Sequence, residues 1–248
     1  MPYPNYPGKD KEPALFNAKE FITWRNYLKR DYRDAPKKYI IIYYPNILRH
    51  FRKNRETKKI RLYRLVSIHQ YLDVGVVMMT GIGSPNAAVA MEELIALGGE
   101  YFINIGSAGG LESFGTYLCE KSLRDEGTSH HYLPDAEFAY PDKELTLRLQ
   151  QSMQHQDITF QIAPSWTIDA PYRETKAEIQ RYRRKGIKTV EMESAAIFAV
   201  ARARKVQAAA AFVVTDLVSK DTWQPKFRAR SVNKALYALF DAALTSLL

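Results

Sequence analysis

The chain lacks cysteine pairs and long apolar runs, on which many extracellular and membrane proteins depend. Its 248 residues include a single cysteine, Cys119, so that neither an internal disulfide nor a cluster of thiolate metal ligands can form. The longest apolar runs, VGVVMMTGIG and AAAAFVVT, fall far short of the roughly 20 residues that a membrane span needs. The start, MPYPNYPGKDKEP, contains no apolar signal segment. We therefore expect a cytoplasmic protein with no membrane contact and no metal site.

Acidic residues are also under-represented. Lys and Arg number 36 against 27 Asp and Glu, and the formal net charge is +9. Such an excess can indicate binding of nucleic acid or of a smaller anion such as phosphate. The basic residues cluster at 48–64 and 181–185, but apolar residues interrupt both stretches and no nucleic-acid-reading motif accompanies them. We interpret these stretches as solvated faces of helices and strands and expect no nucleic-acid partner.

The hydrophobic content of 46% is enough for one sizeable core. Residues 1–36 predict an N-terminal arm with one helix, because Phe16, Phe21, Trp24 and Leu28 recur at helical spacing. From residue 37 to residue 248, short β-rich runs alternate with helical segments. This pattern predicts one α/β domain with a mixed, mostly parallel central sheet flanked by helices.

The predicted elements follow from composition and periodicity. Strands are predicted at 38–44, twice within 61–81, and at 101–106, 158–168, 187–193 and 208–216. Helices are predicted at 84–99, 143–154, 173–186, 194–205 and 231–248. In the first of these helices, Ser84 is the predicted cap, Pro85 suits the first turn, and Gly98 and Gly99 end it.

Three predicted strands end in segments suited to ligand binding, because ligands of open α/β sheets lie at the carboxyl ends of strands. These segments are MMTGIGSPN, INIGSAGGL and FVVTDLVSK. Glycines there would let the backbone approach a ligand, and the following amides could hold an anion. Each segment is equally compatible with a tight connection from strand to helix.

TVEMES, residues 189–194, places two carboxylates just before an apolar helix. Glutamates at the start of a helix are favoured by its dipole and by free backbone amides, which is one interpretation. In the other, Glu191 and Glu193 point to one side of an extended strand end and Met192 to the other. Because an unpaired buried carboxylate is costly, this interpretation predicts a ligand that donates hydrogen bonds.

Four segments in this order, GIGSPNAAVAMEEL, INIGSAGGL, VEMESAAIFAVA and FVVTD, resemble the nucleoside phosphorylase family. That family includes purine nucleoside phosphorylases, uridine phosphorylases and related nucleosidases, and the resemblance covers about residues 76–220. It implies a homo-oligomer, dimer or hexamer, that cleaves the N-glycosidic bond of a nucleoside. Inorganic phosphate would be the co-substrate, with no cofactor, and the products would be the free base and ribose 1-phosphate.

The resemblance also implies roles for residues around the nucleoside. Glu193 would accept hydrogen bonds from the ribose hydroxyls and stabilise a cationic sugar, with Met192 packing on the ribose and Glu191 supporting the site. Asp216 falls where purine-specific members carry the acid that assists departure of the base, which favours a purine. Tyr172 resembles the aromatic residue that stacks on the base, although an ordinary surface tyrosine is an alternative.

For phosphate, the resemblance implies contacts with Ser107, Arg49 and Gly83. Arg61 or Arg64 could complete the phosphate site, within the same chain or from a neighbouring subunit. The loop at 122–134 is rich in polar residues and either lines the base pocket, through Asp125 or His130, or serves as a turn or subunit contact. The neighbouring histidines 130 and 131 do not suggest a metal site, because adjacent residues on a strand face opposite ways.

Two positions depart from the pattern of the family's phosphorylases. Pro45 stands where they usually have the glycine of a Gly-Asp turn, and Asn104 stands where they usually have an arginine. INIGSAGGL resembles most the corresponding segment of nucleosidases that use water, yet the predicted first strand lacks the carboxylate with which those enzymes activate it. We therefore predict a phosphorylase, with a nucleoside hydrolase of the same fold and a non-catalytic nucleoside-binding protein as alternatives.

Overall fold

A computed structural model of the chain describes residues 6, 8–26, 34–53, 55–61, 67–218 and 223–248. Helices in these residues are α1 (Ala18–Asn26), α2 (Pro45–Lys53), α3 (Ser84–Ala96), α4 (Lys143–His155), α5 (Lys176–Arg184), α6 (Ser194–Arg204) and α7 (Arg230–Leu247). Strands are β1 (Lys38–Ile42), β2 (Lys58–Arg61), β3 (Ser67–Tyr71), β4 (Val74–Met78), β5 (Tyr101–Gly110), β6 (Thr116–Asp125), β7 (Phe138–Ala139), β8 (Phe160–Ile168), β9 (Thr189–Glu191), β10 (Gln207–Leu217) and β11 (Gln224–Pro225).

The strands form one mixed sheet around β5. On one side of β5, the parallel strands β1 and β4 continue into the antiparallel β3 and β2. On the other side, β5, β10, β6, β8 and β9 pair in a closed ring, in which β10–β6 and β9–β5 are antiparallel. The longest pairings, β5–β10 and β6–β8, are parallel. The predicted α/β fold with a mixed, mostly parallel central sheet is confirmed.

The sheet is buried on both faces. Along β1, Tyr39 and Ile41 belong to the core formed with α3 and α6, whereas Ile40 and Ile42 belong to the core formed with α2, α4 and α7. A strand covered on both faces carries a continuous apolar run, and the run in β1 has this origin. Helix α6 is buried from Ser194 through Ala201, which explains why that segment of the sequence has no polar face.

Two stretches differ from the sequence prediction. Pro45 directly follows the strand predicted at 38–44, and no helix was predicted there, but it begins helix α2, where its fixed φ and missing N–H cost nothing. The predicted turn after residue 106 is instead the second half of β5. A Cβ on Gly109 would lie 2.9 Å from Val190 Cγ1, and one on Gly110 would lie 2.7 Å from Leu217 Cδ2. These glycines therefore permit close packing of β5 against its neighbours and do not form a turn.

Helix α1 lies where the N-terminal helical spacing predicted a helix. Ile22 is its buried residue and packs on the core side of α3, whereas Phe16 and Trp24 are mostly exposed. Leu28 of the predicted pattern lies outside the described residues. The apolar periodicity thus located the helix, but not the side chain that anchors it.

Both basic stretches include the last turn of a helix. Helix α2 ends with His50, Arg52 and Lys53, and α5 ends with arginines between positions 181 and 184. Positive charge at the carboxyl end of a helix is favoured by the helix dipole. Among the described residues, no helix is both long and apolar enough to cross a membrane.

Candidate active site

A cavity of about 940 Å³ opens at the carboxyl ends of β1, β5 and β10. This volume lies in the range typical of small-molecule sites. The lining residues that matter for its chemistry are Tyr43, Tyr44, Asn104, Ser107, Tyr172, Glu174, Glu191, Met192, Glu193, Asp216 and Trp223. The structure therefore brings together six of the eight predicted site residues and leaves out Arg49 and Gly83.

Glu191 is buried and holds the start of α6. Its Oε2 accepts hydrogen bonds from the backbone N–H groups of Glu193, at 2.9 Å, and Ser194, at 2.8 Å. Its Oε1 accepts a hydrogen bond from the Thr167 hydroxyl. That hydroxyl in turn accepts a hydrogen bond from the Ala195 N–H at 3.0 Å. Glu191 thus satisfies amides at the first turn of α6, as the helix-start interpretation predicted.

The side chain of Glu193, unlike that of Glu191, does not cap helix α6. It is 7% exposed, and its Oε1 accepts a hydrogen bond from the Gly83 N–H at 2.6 Å. Burial and the adjacent Glu191 raise the pKa of Glu193 to about 8. Gly83 was predicted to contact phosphate, but in the structure its N–H is used by Glu193 and it does not line the cavity.

The loop before α3 is locked onto the segment before α6. Ser84 was predicted to cap α3, but Gly83 occupies the N-cap position, with a φ of 99° that favours glycine. The Ser84 hydroxyl instead donates to the Met192 carbonyl at 2.8 Å. Strand β9 ends at Glu191, so the predicted alternation of side chains stops there, and Glu191, Met192 and Glu193 all line the same cavity.

Asp216 lies near the end of β10, just after a shift in its pairing with β5 between Val214 and Asp216. Such a bulge changes the direction of the following side chain. Asp216 Oδ1 accepts a hydrogen bond from the Thr215 hydroxyl at 3.1 Å, and Oδ2 accepts one from Trp223 Nε1 at 2.7 Å. Trp223 was missed because no local pattern connects a tryptophan to a strand end seven residues earlier.

Two tyrosines that the sequence prediction did not include follow β1 directly. The Tyr44 hydroxyl donates to Ser107 Oγ at 2.7 Å. The buried hydroxyl of Tyr43 has no hydrogen-bond partner among the described residues, and neither has the side-chain amide of Asn104. Burial raises the pKa of Tyr43 well above its usual value, and Glu193 adds to this. Their position after a strand end, where ligands bind in such sheets, was the available signal.

Two further lining residues come from the segment between β8 and α5. Tyr172 is 99% exposed, so its ring lies at the cavity mouth without a wall behind it. Glu174 is half-buried and was not predicted to belong to the site. Burial, then Asp216 and Glu178, raise the pKa of Glu174 to about 7.

The structure does not bring Arg49 to the cavity. Arg49 lies on α2, donates to Asn46 Oδ1 and lines a separate surface pocket. The predicted contact of Arg49 with phosphate at Ser107 is therefore not formed within one chain. Arg64 lies outside the described residues, and only the backbone of Arg61 is described. Of the cavity residues within the described ranges, Lys176 is the one cation.

The polar loop at 122–134 has a structural role. Arg124 donates to Ser129 Oγ at 2.9 Å and to three backbone carbonyls between positions 133 and 136. Asp125 accepts hydrogen bonds from Trp166 Nε1 at 2.9 Å and from a tyrosine hydroxyl of α5. Neither Asp125 nor His130 lines the cavity. Within one chain, the structure therefore does not support the prediction that this loop lines the base pocket, and the turn or subunit contact stays a prediction.

Two curated proteins of similar sequence are nucleoside phosphorylases. A guanosine phosphorylase of Halorubrum lacusprofundi is 31% identical over 135 residues, which cover 53% of this chain and 56% of that protein. A uridine phosphorylase of Thermococcus kodakarensis is 33% identical over 124 residues, or 47% of this chain and 45% of that protein. The chain thus spans about half the length of the curated relatives that it matches.

The similarity in structure is more extensive. An AMP nucleosidase of Bacteroides thetaiotaomicron superposes with a TM-score of 0.75 and 21% identity, covering 93% of this chain and 98% of that one. At this identity the superposition shows the fold alone. The sequence profile of the phosphorylase superfamily, however, matches residues 44–245 and therefore includes every lining residue of the cavity except Tyr43. The resemblance inferred from the four sequence segments is confirmed, and the chain belongs to the phosphorylase superfamily.

Proposed function

We propose that the chain cleaves the N-glycosidic bond of a purine nucleoside, with inorganic phosphate as acceptor, to give the free base and ribose 1-phosphate. The observation that carries this proposal is that two buried carboxylates, Glu193 and Asp216, line one cavity of about 940 Å³, which is large enough for a nucleoside together with phosphate. Each is held by a separate donor, Gly83 N–H for Glu193 and Trp223 Nε1 for Asp216. Such fixed positions favour transition-state stabilisation, because little reorganisation is needed during reaction.

Glu193 would act on the sugar. As the C–N bond breaks, the ribose gains oxocarbenium character, and a nearby carboxylate stabilises that positive charge. The ionised form of Glu193 can also accept hydrogen bonds from ribose hydroxyls. Met192 lines the same wall, and its thioether side chain suits packing against the sugar.

Asp216 would act on the base. The electron pair of the breaking bond passes to the purine, which gains a proton or a hydrogen bond as it leaves. General-acid assistance of this kind is typically worth about 10²- to 10⁴-fold in rate. Trp223 and Thr215 fix the orientation of the carboxyl group that would provide it.

The acceptor would lie near Ser107, where hydroxyl and amide groups are available. The Tyr44–Ser107 pair, the Tyr43 hydroxyl and the Asn104 amide are neutral donors that suit an oxyanion or a water molecule. We propose that a homo-oligomer forms and that a second copy of the chain supplies cationic groups to the phosphate. Hydrolysis is the second candidate, favoured by the finding that Lys176 is the one cation of the described lining.

A panel of purine and pyrimidine nucleosides, assayed with and without phosphate, tests the reaction. Phosphorolysis predicts that base release depends on phosphate and that ribose 1-phosphate accumulates in equal amount. Undiminished release of free ribose in phosphate-free buffer would establish hydrolysis instead. Binding without any turnover would contradict both.

A substitution at Asp216 tests its proposed role as an acid. Asp216→Asn should lower kcat/KM for purine nucleosides at least a hundredfold, because an amide cannot supply the proton. Asp157→Asn is the matched control, since Asp157 is exposed, lies outside the cavity and has a left-handed backbone that asparagine tolerates. Equal activity of both variants and the wild type would overturn the acid role of Asp216.

A further inference from the structure

We propose that a second pocket, between α2 and α7, binds two or more linked phosphate groups, either as free diphosphate or as part of a nucleotide. This α2 pocket has a volume of about 850 Å³, and no residue lines both it and the active-site cavity. The inference goes beyond the proposed function and does not depend on it. The charged and aromatic residues that line the α2 pocket are Arg49, His50, Arg52, Lys53, Arg55 and Tyr237.

Three basic side chains of the α2 pocket have no carboxylate partner within the described residues. Arg49 donates to the neutral side chain of Asn46, and Arg52 and Lys53 have neither a hydrogen bond nor an ion pair from their side chains. Arg52 and Lys53 follow Arg49 by three and four residues on one helix. Like charges at these spacings repel each other. The cluster is therefore unfavourable by itself, and an anion bound in the pocket would relieve the repulsion.

The carboxylate nearest to the α2 pocket is already engaged. Asp241 Oδ2 lies 2.7 Å from His50 Nε2, and Asp241 Oδ1 accepts a hydrogen bond from Arg55 at 3.3 Å. Arg55 also donates to the Phe51 carbonyl at 3.2 Å. The His50 ring stacks on Tyr237, with 4.6 Å between the ring centroids and an angle of 4° between the planes. These contacts fix one wall of the pocket and leave no charge of Asp241 for the other cations.

Attraction of basic side chains to the carboxyl end of a helix is the alternative explanation of the cluster. It is sufficient for α5, whose last turn carries Arg181, Arg183 and Arg184, because none of these lines either pocket. It is not sufficient for α2. Arg49 precedes the last turn of α2 and Arg55 follows the end of the helix, yet both line the same pocket as the basic residues of the last turn.

The charge of the pocket favours some anions over others. A single phosphate group carries about −1.5 to −2 charges at neutral pH, which does not balance three unpaired cations. Linked phosphate groups carry more charge and offer more oxygens to the paired N–H donors of arginine. Asn46 and Thr57 add neutral donors to the lining. A nucleic-acid strand spreads its charge along an extended backbone and suits a groove that follows the strand, so it fits this pocket less well.

Calorimetric titration of the full chain with diphosphate, adenosine diphosphate and orthophosphate at pH 7.5 and low salt tests the site. The test variant is Arg52→Gln/Lys53→Gln. The control is Arg181→Gln/Arg184→Gln, which removes the same charge from the end of another helix. All four side chains are exposed, so both variants should keep the fold, as thermal unfolding would verify.

We expect the wild type to bind diphosphate more tightly than orthophosphate. The Arg52→Gln/Lys53→Gln variant should bind diphosphate about tenfold more weakly or worse, because two charged donors are lost. The control variant should keep the affinity of the wild type. Adenosine diphosphate that binds more tightly than diphosphate would identify a nucleotide as the ligand, and equal or weaker binding would identify the free anion. Both results support the site if the test variant loses the affinity.

Several results would overturn the assignment. These are no binding of diphosphate to the wild type, equal weakening in both variants, and orthophosphate binding as tight as that of diphosphate. A single-stranded oligonucleotide is the fourth probe. If it binds the wild type more tightly than diphosphate, with a steep salt dependence, and is weakened by Arg52→Gln/Lys53→Gln, the surface belongs to nucleic acid instead.

Nucleoside cleavage separates the α2 pocket from the acceptor site of the proposed reaction. Because Arg52 and Lys53 do not line the active-site cavity, their substitution should leave the KM for phosphate unchanged. A raised KM would mean that these cations serve the acceptor phosphate and would contradict a separate site. If the wild type cleaves no nucleoside, the proposed function fails, whereas the diphosphate titration still decides this inference.

Discussion

At the scale of single residues, Glu191 and Glu193 lie two positions apart but have different hydrogen-bond partners. Both carboxylate oxygens of Glu191 accept hydrogen bonds, one from the Thr167 hydroxyl and the other from two backbone N–H groups at the start of α6. Glu193 accepts one N–H from a loop 110 positions away in sequence. Glu191 therefore stabilises the start of α6, whereas Glu193 has fewer structural contacts and lines the same cavity.

Glu193 should control the pH dependence of the reaction with inosine. Its pKa is raised to about 8, so the ionised form, which we propose accepts hydrogen bonds from ribose hydroxyls, increases as pH rises from 6 to 9. We expect kcat/KM for inosine to rise over this range. Glu193→Gln should lower the plateau by about ten- to a hundredfold, because a hydrogen bond to a charged group is lost, and should abolish the rise. Initial rates across the pH range measure both effects.

The exposed Glu144 on α4 provides the control for this change. Glu144→Gln should reproduce the pH profile of the wild type. A Glu193→Gln profile that keeps the same rise would mean that another group causes it.

At the scale of elements, the glycines of β5 set how closely the strands around the cavity approach. A Cβ at position 109 would lie 2.9 Å from Val190 Cγ1 on β9 and 3.8 Å from Asp216 Oδ2. At position 106 the nearest atom to a Cβ would be a carbon of the Tyr43 ring, 3.5 Å away, which is an ordinary contact. The two glycines lie on one strand but differ in how much space surrounds them.

This difference predicts opposite tolerances to alanine. Gly109→Ala should destabilise the fold by about 1–3 kcal/mol, because the added methyl group must displace β9. Gly106→Ala should change stability by less than about 1 kcal/mol. Urea unfolding followed by circular dichroism gives both values. Equal stability of the two variants would show that β9 shifts freely, contrary to its pairing with both β5 and β8.

At the scale of the whole molecule, β5 connects the two parts of the sheet. It pairs with β1, with β10 and, at its carboxyl end, with β9. Through β10 and β9 it belongs to the closed ring, and through β1 it supports the open part. Asn104, Ser107 and Gly109 on β5 line the cavity, so the strand shared by both parts also forms the floor of the site.

Hydrogen exchange should reflect this arrangement. We expect amides of β5 and β10 to exchange slowest, since opening them disrupts the ring and both cores, and amides of α1 to exchange fastest among the described helices. Peptide-resolved exchange monitored by mass spectrometry measures the order. Protection of α1 equal to that of β5 would contradict the expectation, because among the side chains of α1 that the structure describes only Ile22 belongs to the buried core.

The sequence by itself determined the family, the alternation of strands and helices, and six of the residues that line the cavity. It did so because Met192, Glu193 and Asp216 lie in short segments whose spacing is local, and because a doubly covered sheet requires continuous apolar runs. It could not predict α2, since Pro45 both ends a strand and suits a helix start. The second half of β5 was predicted to be a turn, because glycine is common both in turns and where strands pack closely.

Only the tertiary structure decided which partner each polar group has. Gly83 and Glu193 lie 110 residues apart, and Tyr44 and Ser107 lie 63 apart, so no local pattern connects them. The same holds for Glu174, which shares the cavity with Asp216 because the segment before α5 and the end of β10 converge there. Spacing along the chain fixes what a segment can form, whereas the free energy of burying a charge depends on neighbours that only folding provides.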